Sequence, residues 1–241
     1  MTYCVGLLLD AGMVLLSDTR TNAGLDNIAT YTKMFAFEKP GERVVTILTA
    51  GSLSVTQTTM ARLREAIEAP EASAESSIML APTMLKVAEI VGNTLAGVRS
   101  DIEGKMNAAK VTATASMILA GQRAGGTMRL FLIYPEGNFI EATEDTPFLQ
   151  IGEHKYGKPI LDRVVNPATS LADAQKAVLL SMDSTLRSNL SVGMPLDLAV
   201  IERDACRVTM RRRIEAGDAD FAAMSEAWSQ ALRDGFARIA L

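Results

Sequence analysis

Histidine is nearly absent from this chain: His154 is the only one among 241 residues. That excludes a histidine-rich metal site, an HExxH helix and any mechanism that uses two imidazoles. A serine–histidine or cysteine–histidine hydrolase would have to use His154 itself. The base of any active site is therefore expected to be an amine or a carboxylate. Cysteine is scarce as well. Cys4 and Cys206 form no framework and no CxxC pair. Both sit in apolar runs, as reduced core residues of a cytoplasmic protein do.

No apolar run approaches the roughly 20 residues of a membrane-spanning helix, so no membrane partner is expected. The N-terminus has no charged segment ahead of its apolar stretch, so no signal peptide is expected either. Basic clusters are missing except for Arg211-Arg212-Arg213, which reads as a solvated strand end, and the net charge is −4. Nucleic acid is not an expected partner. With 48% hydrophobic and 22% charged residues, the chain fits one large domain spanning residues 1–241 with a sizeable core.

The apolar runs come in an informative order. Residues 3–9 and 12–18 are almost continuously apolar and are joined at Asp10-Ala11-Gly12, which predicts a hairpin buried on both faces. Residues 21–32 are polar, with Gly24 and Asn27, and read as a loop. Strands follow at 33–38 and 43–50. A helix capped by Ser52 or Ser54 is expected to run to about Glu68, with Val55, Thr59 and Leu63 in helical period. A linker at 70–77 precedes a second helix over about 78–106, bent near Pro82 and Gly92. Its methionines and leucines read as a core stripe rather than a ligand box.

Strands are predicted again at 112–121, 127–134, 138–143 and 147–151. Helices follow, one ending near Val164 and one over 171–189. A hairpin at 196–203 and 206–213 leads to a closing helix, capped by Asp218 and ending near Arg238. Antiparallel strand runs alternating with pairs of helices indicate an α+β fold, not a βαβ succession. Two apolar-faced sheets with a helix pair on each outer side satisfy this order.

Chemistry concentrates in the first fifty residues. Thr2 becomes the N-terminal residue once the initiator Met1 is removed. Asp18 and Arg20 lie at the end of the second strand, Lys33 opens the next, and Gly51 ends a further apolar strand in Ala50-Gly51-Ser52. A threonine, a charged pair and a glycine turn, each at a strand end, supply a nucleophile, groups to activate it and a backbone donor for an oxyanion. Gly152 to Lys158 has the spacing of a phosphate-binding P-loop, but Pro159 follows where a serine or threonine would hold magnesium. A strand-to-helix turn is the plainer reading.

These residues, in this order and spacing, resemble the proteasome β-subunit family of N-terminal nucleophile hydrolases. The motifs that carry the likeness are Thr2 before its apolar run, Ser17-Asp18-Thr19-Arg20, Lys33 and Ala50-Gly51-Ser52. Ile151 to Pro159 and the closing helix extend it to the family's bacterial ancestral β-subunit branch, along nearly the whole chain.

The resemblance implies a four-layer αββα sandwich, threonine catalysis on peptide or amide bonds, self-assembly of many copies, and no cofactor or metal. It makes Thr2 the nucleophile and Lys33 the amine that sets its proton affinity. Asp18 becomes the partner of that lysine, Arg20 a brace for the same strand end, and the Gly51 N–H an oxyanion donor. Two positions depart from the family's pattern. Its glycine–serine turn is Gly152-Glu153 here, and its Asp-x-x-Ser-Gly-Gly segment is Ser188-Asn189-Leu190-Ser191-Val192-Gly193. Ser191 is kept, while Glu153 and Ser188 alter the proton network. A shell or binding subunit with weak chemistry is the first alternative, and a nucleotide-binding protein the second.

Overall fold

The first apolar run forms strand β1 (Tyr3–Leu9), and its two faces enter two different cores. Tyr3, Val5, Leu7 and Leu9 pack among helix residues, whereas Cys4 faces the strands of a second sheet. Successive side chains of a strand point to opposite faces. A strand that is apolar at every position must therefore be covered twice. The computed structural model describes residues 2–22, 28–106 and 113–240, and this double cover sets its layering.

After β1 the chain forms β2 (Gly12–Asp18), the short β3 (Arg20–Asn22) and β4 (Ile28–Thr30), then β5 (Met34–Lys39) and β6 (Arg43–Gly51). Helices α1 (Leu53–Glu68) and α2 (Met84–Met106) follow. Then come β7 (Ala115–Arg123), β8 (Arg129–Ile133), β9 (Phe139–Glu141) and β10 (Phe148–Gly152). The rest is α3 (Lys158–Val164), α4 (Leu171–Ser188), β11 (Leu196–Glu202), β12 (Met210–Ile214) and α5 (Ala219–Arg238).

One sheet has the order β10-β1-β2-β11-β12, the other β5-β6-β7-β8-β9, and every pairing is antiparallel. Between the sheets lie Met13, Leu15, Leu48, Ile118, Leu130 and Ala199. Outside the second sheet, Val45, Ile47 and Phe131 pack on α1 and α2 through Met60, Leu63 and Val91. Outside the first, Tyr3, Val5 and Leu16 pack on α4 through Ala177, Val178 and Met182. The expected four-layer αββα sandwich is therefore present, with three apolar layers separating its four layers of structure. Among the described residues no helix is long and apolar enough to cross a membrane.

Several boundaries differ from expectation. The second helix begins at Met84, not near residue 78, because Ile78 and Ala81 belong to a turn whose carbonyls accept from the buried Arg43 guanidinium. Pro82 therefore precedes the helix and bends nothing. Gly92 serves close approach instead: a Cβ there would lie 2.1 Å from the Gly137 carbonyl oxygen. The expected loop at 21–32 holds the two-stranded ribbon β3–β4. Gly24, Asn27 and the expected strand start at 112 lie outside the described residues. Ser52 stands at the α1 N-cap but bonds Ser54 at 3.0 Å rather than a helix N–H. Asp218 caps α5 as expected, accepting from Phe221 N–H at 2.9 Å. Both cysteines are buried and unpaired. In the arginine triplet, Arg212 reaches Asp218 and Arg213 reaches Asp197 at the exposed edge of β12.

Candidate active site

The expected residues meet at one end of the sandwich. Thr2 sits immediately before β1 and is only 6% exposed. Its carbonyl accepts from the Glu153 N–H at 2.8 Å, and the next N–H, that of Tyr3, donates to Asp18 Oδ1 at 3.2 Å. Gly152 makes this seat. Its φ is +81°, and a Cβ there would stand 1.9 Å from the Thr2 carbonyl oxygen. Only glycine lets β10 come so close to the start of β1.

Asp18 ends β2 and is fully buried. Lys33 Nζ donates to Asp18 Oδ1 at 2.7 Å and to the Arg20 carbonyl at 2.5 Å. The Gly193 N–H donates to the other carboxylate oxygen at 3.2 Å. Burial pushes the Asp18 carboxyl above the usual carboxylate range, while the Lys33 ammonium and the two backbone donors pull it back down. Lys33, itself 5% exposed, enters from the second sheet, where its carbonyl accepts from Thr49 N–H at 2.9 Å. The ion pair thus joins the two sheets.

Arg20 bonds the Leu190 carbonyl at 2.9 Å, and a Cβ on Gly193 would collide with its guanidinium. The 189–193 segment is therefore bound twice, at Leu190 to Arg20 opening β3 and at Gly193 to Asp18 ending β2. Ser191 is half-buried in that segment, with its N–H on Asn189 Oδ1 at 2.9 Å. Ser188 is exposed at the end of α4, and among the described residues no hydrogen bond ties its side chain to the cluster. Glu153 reaches Thr2 through its backbone.

Gly51 ends β6 with φ +109°. A Cβ at that position would lie 2.4 Å from the Thr114 carbonyl oxygen. Thr2, Lys33 and Gly51 line one cavity of about 300 Å³, together with Thr21, Thr49 and Thr56. These three threonines have no distinguishing pattern in the sequence. The Gly193 and Tyr3 donors to Asp18 are equally silent there, because a backbone N–H carries no residue signature.

Rival chemistry finds no comparable setting. Cys4 lies wholly between the sheets, and burial pushes its thiol far up, away from thiolate. His154 is exposed. In the loop with P-loop spacing, the N–H groups of Glu153, His154 and Lys158 already donate to Thr2, Gly152 and His154 carbonyls. The Lys158 ammonium bonds Asp162 at 2.6 Å. That loop is a turn into α3, with those donors spent, and not a phosphate cradle.

No curated protein matches the chain. Solved structures do. An Anbu (Gly-1) mutant from Hyphomicrobium sp. strain MC1 is 49% identical, with 100% of this chain and 99% of that one covered at a TM-score of 0.93. A helical assembly of the Anbu complex from Pseudomonas aeruginosa is 43% identical, covering 99% and 97% at 0.92. Anbu (ancestral β-subunit) from Yersinia bercovieri is 41% identical, covering 99% and 97% at 0.91. The proteasome subunit family pattern matches residues 2–201. Sequence and layered fold agree with these matches, and the chain belongs to the proteasome subunit family, beside the Anbu ancestral β-subunits.

Proposed function

We propose that the chain is a self-assembling, cytoplasmic, single-domain threonine hydrolase of peptide or other amide bonds. The observation that carries this reading is the cavity shared by Thr2, the buried Lys33–Asp18 pair and Gly51. With Met1 removed, Thr2 has a free α-amine. Such an amine titrates near ~8, so part of it is a free base at neutral pH. It takes the proton from Thr2 Oγ1, directly or through water, as the oxygen attacks the amide carbon.

Lys33, held by Asp18, supplies positive potential at the nucleophile. The Gly51 N–H donates to the oxyanion of the tetrahedral intermediate. The C–N bond then breaks, the departing amine takes the proton, and an ester to Thr2 remains. Water hydrolyses that ester by the same proton path in reverse. Glu153, where the family has serine, is bonded to Thr2 through its backbone N–H, and a carboxylate turned toward the α-amine would favour the charged amine. Ser191 belongs to the same network through its bound segment. Self-assembly is supported by the helical assembly of the Pseudomonas aeruginosa relative.

The test is a threonine-directed electrophile, with the adduct mapped by mass spectrometry beside an intact-mass measurement. Chains beginning at Thr2 are expected to label at Thr2 and to turn over amide substrates. Chains that retain Met1, and the Thr2→Ala variant, are expected to do neither. Undiminished turnover by Thr2→Ala would sink the reading. Equal reactivity of the Met1-bearing form would remove the α-amine as base.

A further inference from the structure

The cavity in front of Thr2 is not the only recess along α1. A second one, of about 470 Å³, adjoins it. The two share Thr32, and consecutive residues of α1 serve them: Thr56 lines the first and Gln57 the second. From Gln57 the second recess follows α1 past Met60 to Arg64, and Tyr31 and Phe35 line it as well. Residues at such spacings share one face of a helix, so the same face of α1 borders the recess throughout.

Its sides and its far end differ in character. Met60 is buried, Phe35 half-buried and Tyr31 partly exposed, so an entering group meets apolar and aromatic surface along the sides. At the far end stands the Arg64 guanidinium, its central carbon 5.2 Å from the centre of the Phe35 ring. That stacking fixes the cation at the recess. Arg64 is exposed, so a ligand can reach it. Among the described residues no carboxylate lies within 4.0 Å of it. Arg62, on the same helix, is by contrast bound to Asp101 at 2.7 Å. Glu68, one turn beyond Arg64, stands at the spacing of a helical ion pair, yet Arg64 lies over Phe35 instead. Among the described residues neither cavity is lined by a carboxylate, and the cation of the first, Lys33, is held by Asp18. An apolar-walled recess that ends in a guanidinium is complementary to an anion carried on an apolar arm.

We infer that this recess selects substrates in which an apolar arm carries a carboxylate, and that Arg64 is the residue that reads it. The inference rests on the reading of Thr2 as nucleophile, which places the other end of the arm in the first cavity. Geometry sets the length of the arm. Leu53, the first residue of α1, lines the first cavity beside Gly51. The helix rises about 16 Å from Leu53 to Arg64. A long side chain on a helix leans back toward the N-terminus, so the carboxylate belongs about 10 Å from the cleaved bond. An extended peptide covers about 10 Å in some three residues. The substrate class is therefore an amide with an acidic residue, or a chain-terminal carboxylate, about three residues from the bond that breaks, and apolar groups between the two.

The experiment uses the full chain beginning at Thr2 and a matched pair of threonine-directed electrophiles. Both carry the same apolar arm of about 10 Å, ending in a carboxylate in one and in a carboxamide in the other. The wild type is expected to be labelled at Thr2 about tenfold faster by the carboxylate probe, the worth of one charged hydrogen-bonded pair. Arg64→Gln is expected to bring the ratio of the two rates to about one. Arg64→Lys is expected to keep part of the preference, because the charge remains. Arg62→Gln, on the same helix, is expected to keep the wild-type ratio. A wild-type ratio near one, or a ratio that Arg64→Gln leaves unchanged, would overturn the inference. Failure of the catalytic reading looks different, because neither probe then labels Thr2. Calorimetry with the unreactive arms decides the matter in that case. Tighter binding of the carboxylate arm that Arg64→Gln abolishes sustains the recess as a carboxylate site, and equal binding of both arms overturns it.

Discussion

The two sheets are joined at both ends of their strands, and the two joints are built differently. At the end that holds Thr2, Lys33 crosses to Asp18, and both side chains are nearly inaccessible. At the other end, Gln122 of β7 crosses to the β11–β12 turn. Its Nε2 donates to Asp204 Oδ1 at 2.6 Å and to the Gly126 carbonyl at 2.9 Å, and its Oε1 accepts from the Asp204 N–H at 2.9 Å. Gln122 is 1% exposed while its partner Asp204 is exposed, so this joint is buried on one side only. A neutral amide suffices to hold the sheets together.

The ion pair achieves no more as a joint and carries a larger desolvation cost. The upward push on the Asp18 carboxyl is that cost made visible. Stability alone therefore does not account for charge at the first end. The proposed hydrolysis in the cavity that also holds Thr2 and Gly51 would account for it, because a fixed positive charge would stabilise an oxyanion formed there.

The strongest way to break this comparison is Lys33→Ala. It leaves the Asp18 carboxylate buried without the ammonium. We expect a loss of about 3–5 kcal/mol in stability, read by chemical denaturation. We also expect electrophile labelling of Thr2 to slow by at least about 100-fold. A variant that loses the stability but labels at the normal rate would make the ion pair a joint after all.

At the other end, Gln122→Met keeps the volume and removes three hydrogen bonds. A stability loss of about 1–2 kcal/mol is expected from the lost hydrogen bonds of the buried amide. The labelling rate of Thr2 is expected to stay within about twofold of wild type, because additive, distant sites do not share partners. Slowed labelling would mean that the far joint also shapes the cavity.

Legibility in the sequence divides along similar lines. The hairpin β1–β2 was readable because its apolar runs are nearly unbroken, and α5 because Asp218 marks its start. The start of α2 was not. Ile78 and Met79 keep the helical period, yet they belong to a turn held by Arg43, some 35 residues earlier in the chain. Periodicity records which side chains are buried and not what backbone buries them.

In the site, Thr2, Asp18, Lys33 and Gly51 were visible as polar or glycine residues flanking apolar strands. The segment that binds Asp18 from residue 193 was visible only through the family resemblance, because its contact is a backbone N–H across 175 positions. Ser188 lies in the same stretch but does not join the cluster, since α4 ends there and the chain turns only afterwards.

The finest test concerns Tyr3, which serves both the site and the packing behind it. Its N–H holds Asp18, but its ring points the other way, toward α4. There its hydroxyl lies 2.6 Å from Ser181 Oγ and accepts from Gln150 Nε2 at 2.6 Å. Burial pushes this phenol from 10.0 up to about 12, although both hydrogen bonds pull it down. The neutral form therefore contributes stability that is fully present below pH 10 and is lost as pH rises through about 12. Tyr3→Phe keeps the backbone bond to Asp18 and strands two polar side chains. It should cost about 1–2 kcal/mol at pH 7. The wild type alone then pays for ionisation in the unfolded chain, about 1.4 kcal/mol by pH 11 and more above it. The stability gap between the two proteins is expected to close near pH 11 and to reverse beyond it, in denaturation curves run as pairs from pH 7 to 12. A gap that stays constant would mean that water reaches the phenol, and that the layer behind Thr2 is less closed than its neighbours.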